Sequence, residues 1–141
     1  MARALAAAKP MPAALPEARI GARMAVIVDV RCEDELLHLV PANIDDQPAL
    51  RVRAAFDRSI VDASGRDVTR LALFTRCEFL APGRSIGTLL DTRSGYFRRR
   101  QPARFAVTLS YRDAAGRPHE HLIRHDLSIY KDLALVQSPA H

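Results

Sequence analysis

Residues Phe105 to Leu127 read FAVTLSYRDAAGRPHEHLIRHDL. Phe105, Val107, Leu109 and Tyr111 recur at every second position, the period of a strand with one buried face. Asp113 to Gly116 has the Asp-first, Gly-last form of a type I turn, so the segment predicts a hairpin whose second strand returns through Leu122. On that return His119, His121 and His125 all hold odd positions, and a continuous strand projects them from one face.

Such a face invites a metal reading, because imidazoles two residues apart on a strand stand about 6 to 7 Å from each other and suit zinc, copper or nickel. Against it, His119 follows Pro118, Ile123 and Leu127 share the face, and no third-strand ligand is identifiable. The expectation is a structural hairpin with Tyr111 buried, the histidines partly hydrated, and neither metal nor cofactor bound.

The same period of two runs through most of the chain. Met24, Val26, Val28 and Val30 alternate with polar residues, Glu33-Asp34-Glu35 reads as a turn, and ELLHLVPANI follows as a second strand. In ALRVRAAFD the apolar set is Leu50, Val52, Ala54 and Phe56, with Arg51, Arg53 and Asp57 facing water. Ser64-Gly65 and Pro82-Gly83 mark turns. Short strands are expected at Cys77 to Leu80 and Ser85 to Leu90, with DVTRLALF a strand or a turn of helix and Arg93 to Ala103 an arginine-rich loop. About seven strands and no long amphipathic helix predict an all-β fold, an antiparallel β-sandwich.

A chain of 141 residues suits one domain. Tryptophan is absent and aromatics are 6%, so the core must be mainly aliphatic. The chain divides into a flexible arm over residues 1–21, a sandwich over 22–136 and a tail over 137–141. Lys9, Pro10, Pro12 and Pro16 interrupt the arm before a signal-peptide core develops, and no apolar run approaches a membrane span. A cytoplasmic location, or attachment to a membrane-associated partner, is the expectation. Cys32 and Cys77 lack metal-site spacing and read as two buried free thiols, with a single bridge between facing strands as the alternative.

Three stretches carry a resemblance: ANIDDQPALRVRAAFD, FLAPGRSI, and FAVTLSYRDAAGRPHEHLIRHDLSIYKDL. Over roughly residues 24 to 133 the chain resembles the immunoglobulin-like β-sandwich domains of bacterial accessory proteins, especially the CARDB-like group. These often show Asn-x-Gly-x-x-Pro-Ala, then Pro-Gly, then Tyr-x-Asp-x-x-Gly. Asp45 stands where the first motif usually has glycine. The resemblance implies a binding or spacer module, extracytoplasmic or membrane-attached in many relatives, and brings no active site.

Charge gives the remaining functional signal. Twenty-one Lys and Arg against sixteen Asp and Glu leave +5, and lysine occurs only at Lys9 and Lys131. The segment RSGYFRRRQPAR, with Arg104, joins Arg93, Arg98, Arg99, Arg100 and Arg104 to Tyr96 and Phe97, a mixture able to grip anions and stack on flat groups. These seven residues are the expected binding surface. Neither a phosphate-binding glycine loop nor a nucleophile beside a base can be read, and Asp45-Asp46 reads as a solvated turn. The expected function is therefore a non-catalytic accessory or spacer domain with a protein partner. Nucleic acid or another anion at the arginine segment and a metal-dependent enzyme at the histidines are the alternatives, and self-association through sheet edges is open to it.

Overall fold

The computed structural model describes residues 24–133, so the expected arm (1–21) and tail (137–141) lie outside the described residues. Seven antiparallel strands form two sheets among these residues. β1 (Val26–Glu33), β2 (Leu36–Asn43) and β5 (Thr88–Thr92) make a three-stranded sheet in the order β1-β2-β5. β3 (Ala49–Phe56), β4 (Cys77–Leu80), β6 (Arg104–Arg112) and β7 (Pro118–Asp126) make a four-stranded sheet in the order β4-β3-β6-β7. The expected all-β sandwich is the fold observed.

Turn chemistry places these strands. Asp34 and Glu35 sit at φ 53° and 67°, the two-residue left-handed corner that matches the twist of a hairpin. Asn43 crosses the chain between sheets: its side-chain amide donates to the carbonyls of Gln47 and Leu80, both at 2.9 Å, and its oxygen accepts the Asp45 amide. Asp45 itself does not adopt positive φ, so this turn runs without the glycine of the resembling motif. At the last hairpin Gly116 takes φ 85° and returns its amide to the Asp113 carbonyl, while the Asp113 carboxylate accepts the amides of Ala115 and Arg117.

Burial follows the alternation. Val26, Val28 and Val30 face Val107, Leu109 and Tyr111 across the core, and Leu37, Leu39 and Leu90 complete the first sheet's contribution. One register differs from expectation. Ala49 is buried and Leu50 only half-buried, because Arg51 at φ 51° forms a bulge that reverses the parity of β3 before Val52. The strand expected at Ser85 to Leu90 runs instead over β5, and Ser85 makes an isolated bridge to Ala42.

DVTRLALF forms no strand. Asp67 caps a 3-10 turn over Val68–Arg70, and one α turn follows, α1 (Ala72–Thr75). This excursion plugs the end of the sandwich with Ile60, Val68 and Phe74, the last edge-on to Phe56 at 5.0 Å between ring centres. Within it the buried Asp62 accepts from the amide and hydroxyl of Ser64 and from the amide and guanidinium of Arg66. Burial alone would raise the Asp62 pKa, but these hydrogen bonds outweigh it and hold the carboxyl at about 2. No helix among the described residues is long and apolar enough to cross a membrane.

Tyr111, buried as expected, carries a polar joint as well as core volume. Its hydroxyl accepts the Ala25 amide at 3.2 Å, ahead of β1, and meets His121 Nε2 at 3.2 Å on β7. Tyr111→Phe should cost about 1 to 2 kcal/mol through loss of the hydroxyl's bonds to the Ala25 amide and His121, and Tyr111→Ala about 3 to 5 kcal/mol, by analogy with buried Phe. Urea denaturation of the two variants checks this order. Asp62 supplies a second expectation. Its folded pKa lies below its unfolded value, so its contribution of about 2 kcal/mol is complete above pH ~5 and is lost as pH falls through ~4 toward 2. Asp62→Asn should remove that slope from a series of urea melts between those pH values.

Candidate functional site

The arginine segment is not the continuous loop expected, because its first six residues form a helix, α2 (Arg93–Arg98). Thr92 caps it, its hydroxyl accepting the Gly95 amide at 3.0 Å. Gly95 leaves little room for a side chain: an added Cβ would lie 2.6 Å from Asp91 Oδ1 and 2.7 Å from Thr92 Oγ1, so those side chains would have to shift. Short length hid this helix, since six residues are too few for an amphipathic period to emerge.

Helix formation divides the seven candidate residues into two sets. Tyr96 is fully buried and donates its hydroxyl to the Pro102 carbonyl at 2.6 Å. Desolvation drives its phenol pKa far above the ordinary value. Arg93 meets Glu35 Oε1 at 2.9 Å and donates to the carbonyls of Tyr130 and Leu133, both at 2.6 Å, tying the first hairpin to the chain beyond β7. Arg99 pairs with Asp91 Oδ2 at 2.8 Å. Phe97 is half-buried, edge-on to Tyr96, with Lys131 Nζ 5.7 Å from its ring centre. Arg98, Arg100 and Arg104 remain exposed.

The fold adds a residue that the sequence reading did not single out. Asp57, just past β3, exchanges bonds with Ala106 of β6: its amide donates to the Ala106 carbonyl at 3.1 Å, and its carboxylate accepts the Ala106 amide at 2.9 Å. Arg58 follows immediately and reaches the same place. In the β6–β7 register Ala106 faces Arg124 and Arg104 faces Asp126, the latter pair joined at 3.3 Å. A methyl group among long side chains leaves a hollow, and an open groove of about 370 Å³ runs there between Arg58, Arg104, Arg124, Asp57 and Asp126 over Phe105 and Ala106. Gln101 joins the arginine segment to this end by accepting the Val61 amide at 2.8 Å. The only sequence signal for the hollow was Ala106, the small residue in the outward series Arg104, Ala106, Thr108.

The three histidines share a face, as the alternation required; His119 and His125 are half-buried, as a partly hydrated set would be, and His121 is the exception. His121 is 3% exposed. Each ring meets its own partner: His119 Nε2 lies 2.9 Å from Asp113 Oδ2, His121 is bound to Tyr111, and His125 Nε2 donates to the Val28 carbonyl at 2.7 Å. The His119 hydrogen bond, first among several, holds the Asp113 carboxyl below the usual range. Among the described residues no group of three or more His, Cys, Asp or Glu is placed to hold a metal ion. Cys32 and Cys77 are both free and half-buried. Burial raises the Cys32 pKa, which opposes thiolate formation.

The chain belongs to the family described as "Domain of unknown function (DUF8453)", whose model matches residues 5–131. No curated protein and no solved structure matches it.

The division of the arginines has a measurable consequence. Arg93→Ala should lower stability by about 1 to 3 kcal/mol, because it strands Glu35 and two carbonyls. Arg98→Ala and Arg100→Ala should each stay within about 0.5 kcal/mol of wild type. Chemical denaturation of the three single variants tests the split.

Proposed function

We propose that this domain is a non-catalytic, immunoglobulin-like binding module that captures an acidic, partly apolar segment of a partner protein at the arginine-lined end of the sandwich. The observation that carries the reading is the groove over Ala106, where Arg58 and Arg104 flank an apolar floor at Ala106, with exposed Arg98 and Arg100 on the segment before β6. Guanidinium groups bind carboxylates through paired N–H donors, and an apolar floor adds burial of the intervening side chains.

The chemistry of the groove favours a peptide over nucleic acid. Stacking on bases needs open aromatic faces, and Tyr96 is fully buried while Phe97 is half-buried with Lys131 over its ring. Asp57 and Asp126 within the groove would also repel a continuous phosphate chain, whereas spaced carboxylates can avoid them. The immunoglobulin-like part of the reading is supported by topology. Strands taken in order as A, B, C, C′, E, F and G give the sheets ABE and C′CFG, a variant of the two-sheet arrangement of such sandwiches. A CARDB-like accessory role accords with Asn43, Pro82-Gly83 and Asp113 all serving turns that carry the fold. The non-catalytic part is supported by the histidines, each ring bonded to a carboxylate, a phenol or a carbonyl of the hairpin and sheets.

Fluorescence anisotropy with a labelled peptide of alternating Glu and Leu, and with single-stranded RNA of equal charge, tests the proposal. The peptide should bind at low salt and weaken as salt shortens the reach of the charges. Arg58→Glu with Arg104→Glu should reduce affinity by about tenfold or more, since each reversal sets like charges opposed. Absence of peptide binding at low salt, or tighter binding of the RNA, overturns it.

A further inference from the structure

Among the described residues two arginines take backbone angles that an L-residue adopts only at a cost. Arg51 lies at φ 51° and Arg100 at φ 59°, and both are exposed. In this left-handed region Cβ crowds the carbonyl oxygen that follows it, so glycine is the residue usually found there. Arg51 serves the bulge of β3. Arg100 ends α2.

The hydrogen bonds that close α2 show what this position requires. Arg100 N donates to the Phe97 carbonyl at 3.0 Å, and Gln101 N reaches back to the Tyr96 carbonyl at 3.3 Å. That pair of bonds is a Schellman motif, in which Arg100 is the first residue beyond the helix cap, where glycine is most favoured. Backbone groups alone make both bonds, so glycine would close the helix with the same bonds and without the crowding. What arginine adds there is one exposed positive charge. Its place is beside the groove over Ala106. Gln101 accepts the Val61 amide at 2.8 Å, three residues past Arg58, and Arg104, which lines the groove, follows Arg100 by at most about 14 Å of extended chain. A backbone angle held against its intrinsic preference at an exposed position points to a use for the side chain.

We infer that Arg100 is a recognition residue for the acidic segment: its guanidinium contacts a carboxylate of the partner, and the charge is kept at a glycine position although glycine would make the fold more stable. Binding and stability therefore oppose each other at this one residue. The inference rests on the acidic-peptide reading and deepens it, because it places a contact beyond the groove. A segment seated over Ala106 continues past Arg104 toward the end of α2 and presents a further carboxylate there. Arg51 supplies the comparison. It has the same charge and the same kind of backbone angle, but it lies about 23 Å of extended chain before Arg58.

Thermal melts and fluorescence anisotropy with the labelled Glu-Leu peptide, both on the full chain, test this. Arg100→Gly should raise Tm by about 3 °C or more while weakening the peptide roughly threefold. Arg100→Ala removes the charge but keeps the left-handed angle, so it should weaken binding equally without raising Tm. Both variants should show a shallower salt dependence of affinity than wild type, since one charged contact is gone. Arg51→Gly should leave affinity within about twofold of wild type. Loss of binding with Arg100→Gly but not with Arg100→Ala assigns the effect to backbone freedom and overturns the contact. An equal loss with Arg51→Gly assigns it to overall charge and does the same. A fall in Tm for Arg100→Gly overturns the opposition between binding and stability. Wild-type binding that both Arg100 variants leave unchanged overturns this inference alone, whereas a wild type that binds no peptide at low salt overturns the acidic-peptide reading and this inference with it.

Discussion

Burial of one face of β6 against β1 is the constraint on which the rest of the molecule depends. Phe105, Val107, Leu109 and Tyr111 each leave water at alternate positions, and Val26, Val28 and Val30 receive them from the opposite sheet. With no tryptophan in the chain, this interior is built from aliphatic side chains and a few rings, and its stabilisation scales with apolar area removed from water. The same burial forces polar atoms inside to find partners. The Tyr111 hydroxyl, the Asn43 amide and the His125 ring each bond across elements, and the latter two carry the chain or a hydrogen bond from one sheet to the other.

That requirement explains why chemistry-bearing residues in this fold are mostly structural. An imidazole that donates to Val28 closes the flank between two sheet edges, and a guanidinium that grips Glu35 with two backbone carbonyls holds the first hairpin against the chain beyond β7. Arginine suits that task because its planar fork reaches several acceptors at once. Further positive charge lines the groove at the end of the sandwich, where Arg58 and Arg104 flank Ala106, and Arg98 and Arg100 stay exposed on the segment before β6. Binding and scaffolding thus use the same residue type, divided by which side chains find an internal acceptor.

Edges and ends divide the surface in a related way. Among the described residues, the flank containing β1 is closed by side chains, whereas β7 pairs with β6 alone. Strand addition needs no cavity, only matched spacing of backbone groups and absence of opposed like charges. The groove over Ala106 needs the reverse: a local lack of side-chain volume between long neighbours.

Alternation alone determined the all-β class, the hairpin around Gly116, the inward path of Tyr111 and the common face of the three histidines, because side-chain direction in a strand is a property of parity. Turn residues determined where strands stop, since Asp34, Gly83 and Gly116 take backbone angles that few residues tolerate. Parity could not reveal the bulge at Arg51, which inserts a residue and moves burial from Leu50 to Ala49. Nor could composition tell Arg93 from Arg98 or expose the partner of His121, because those depend on which groups the fold brings alongside: Glu35 far back in the chain for Arg93, and the Tyr111 hydroxyl across the hairpin for His121. Arg58 entered the candidate surface only when Asp57 bonded to Ala106. Local pattern decides direction and burial, whereas the identity of a polar side chain's partner is settled by which distant backbone the packed sheets bring within hydrogen-bond reach.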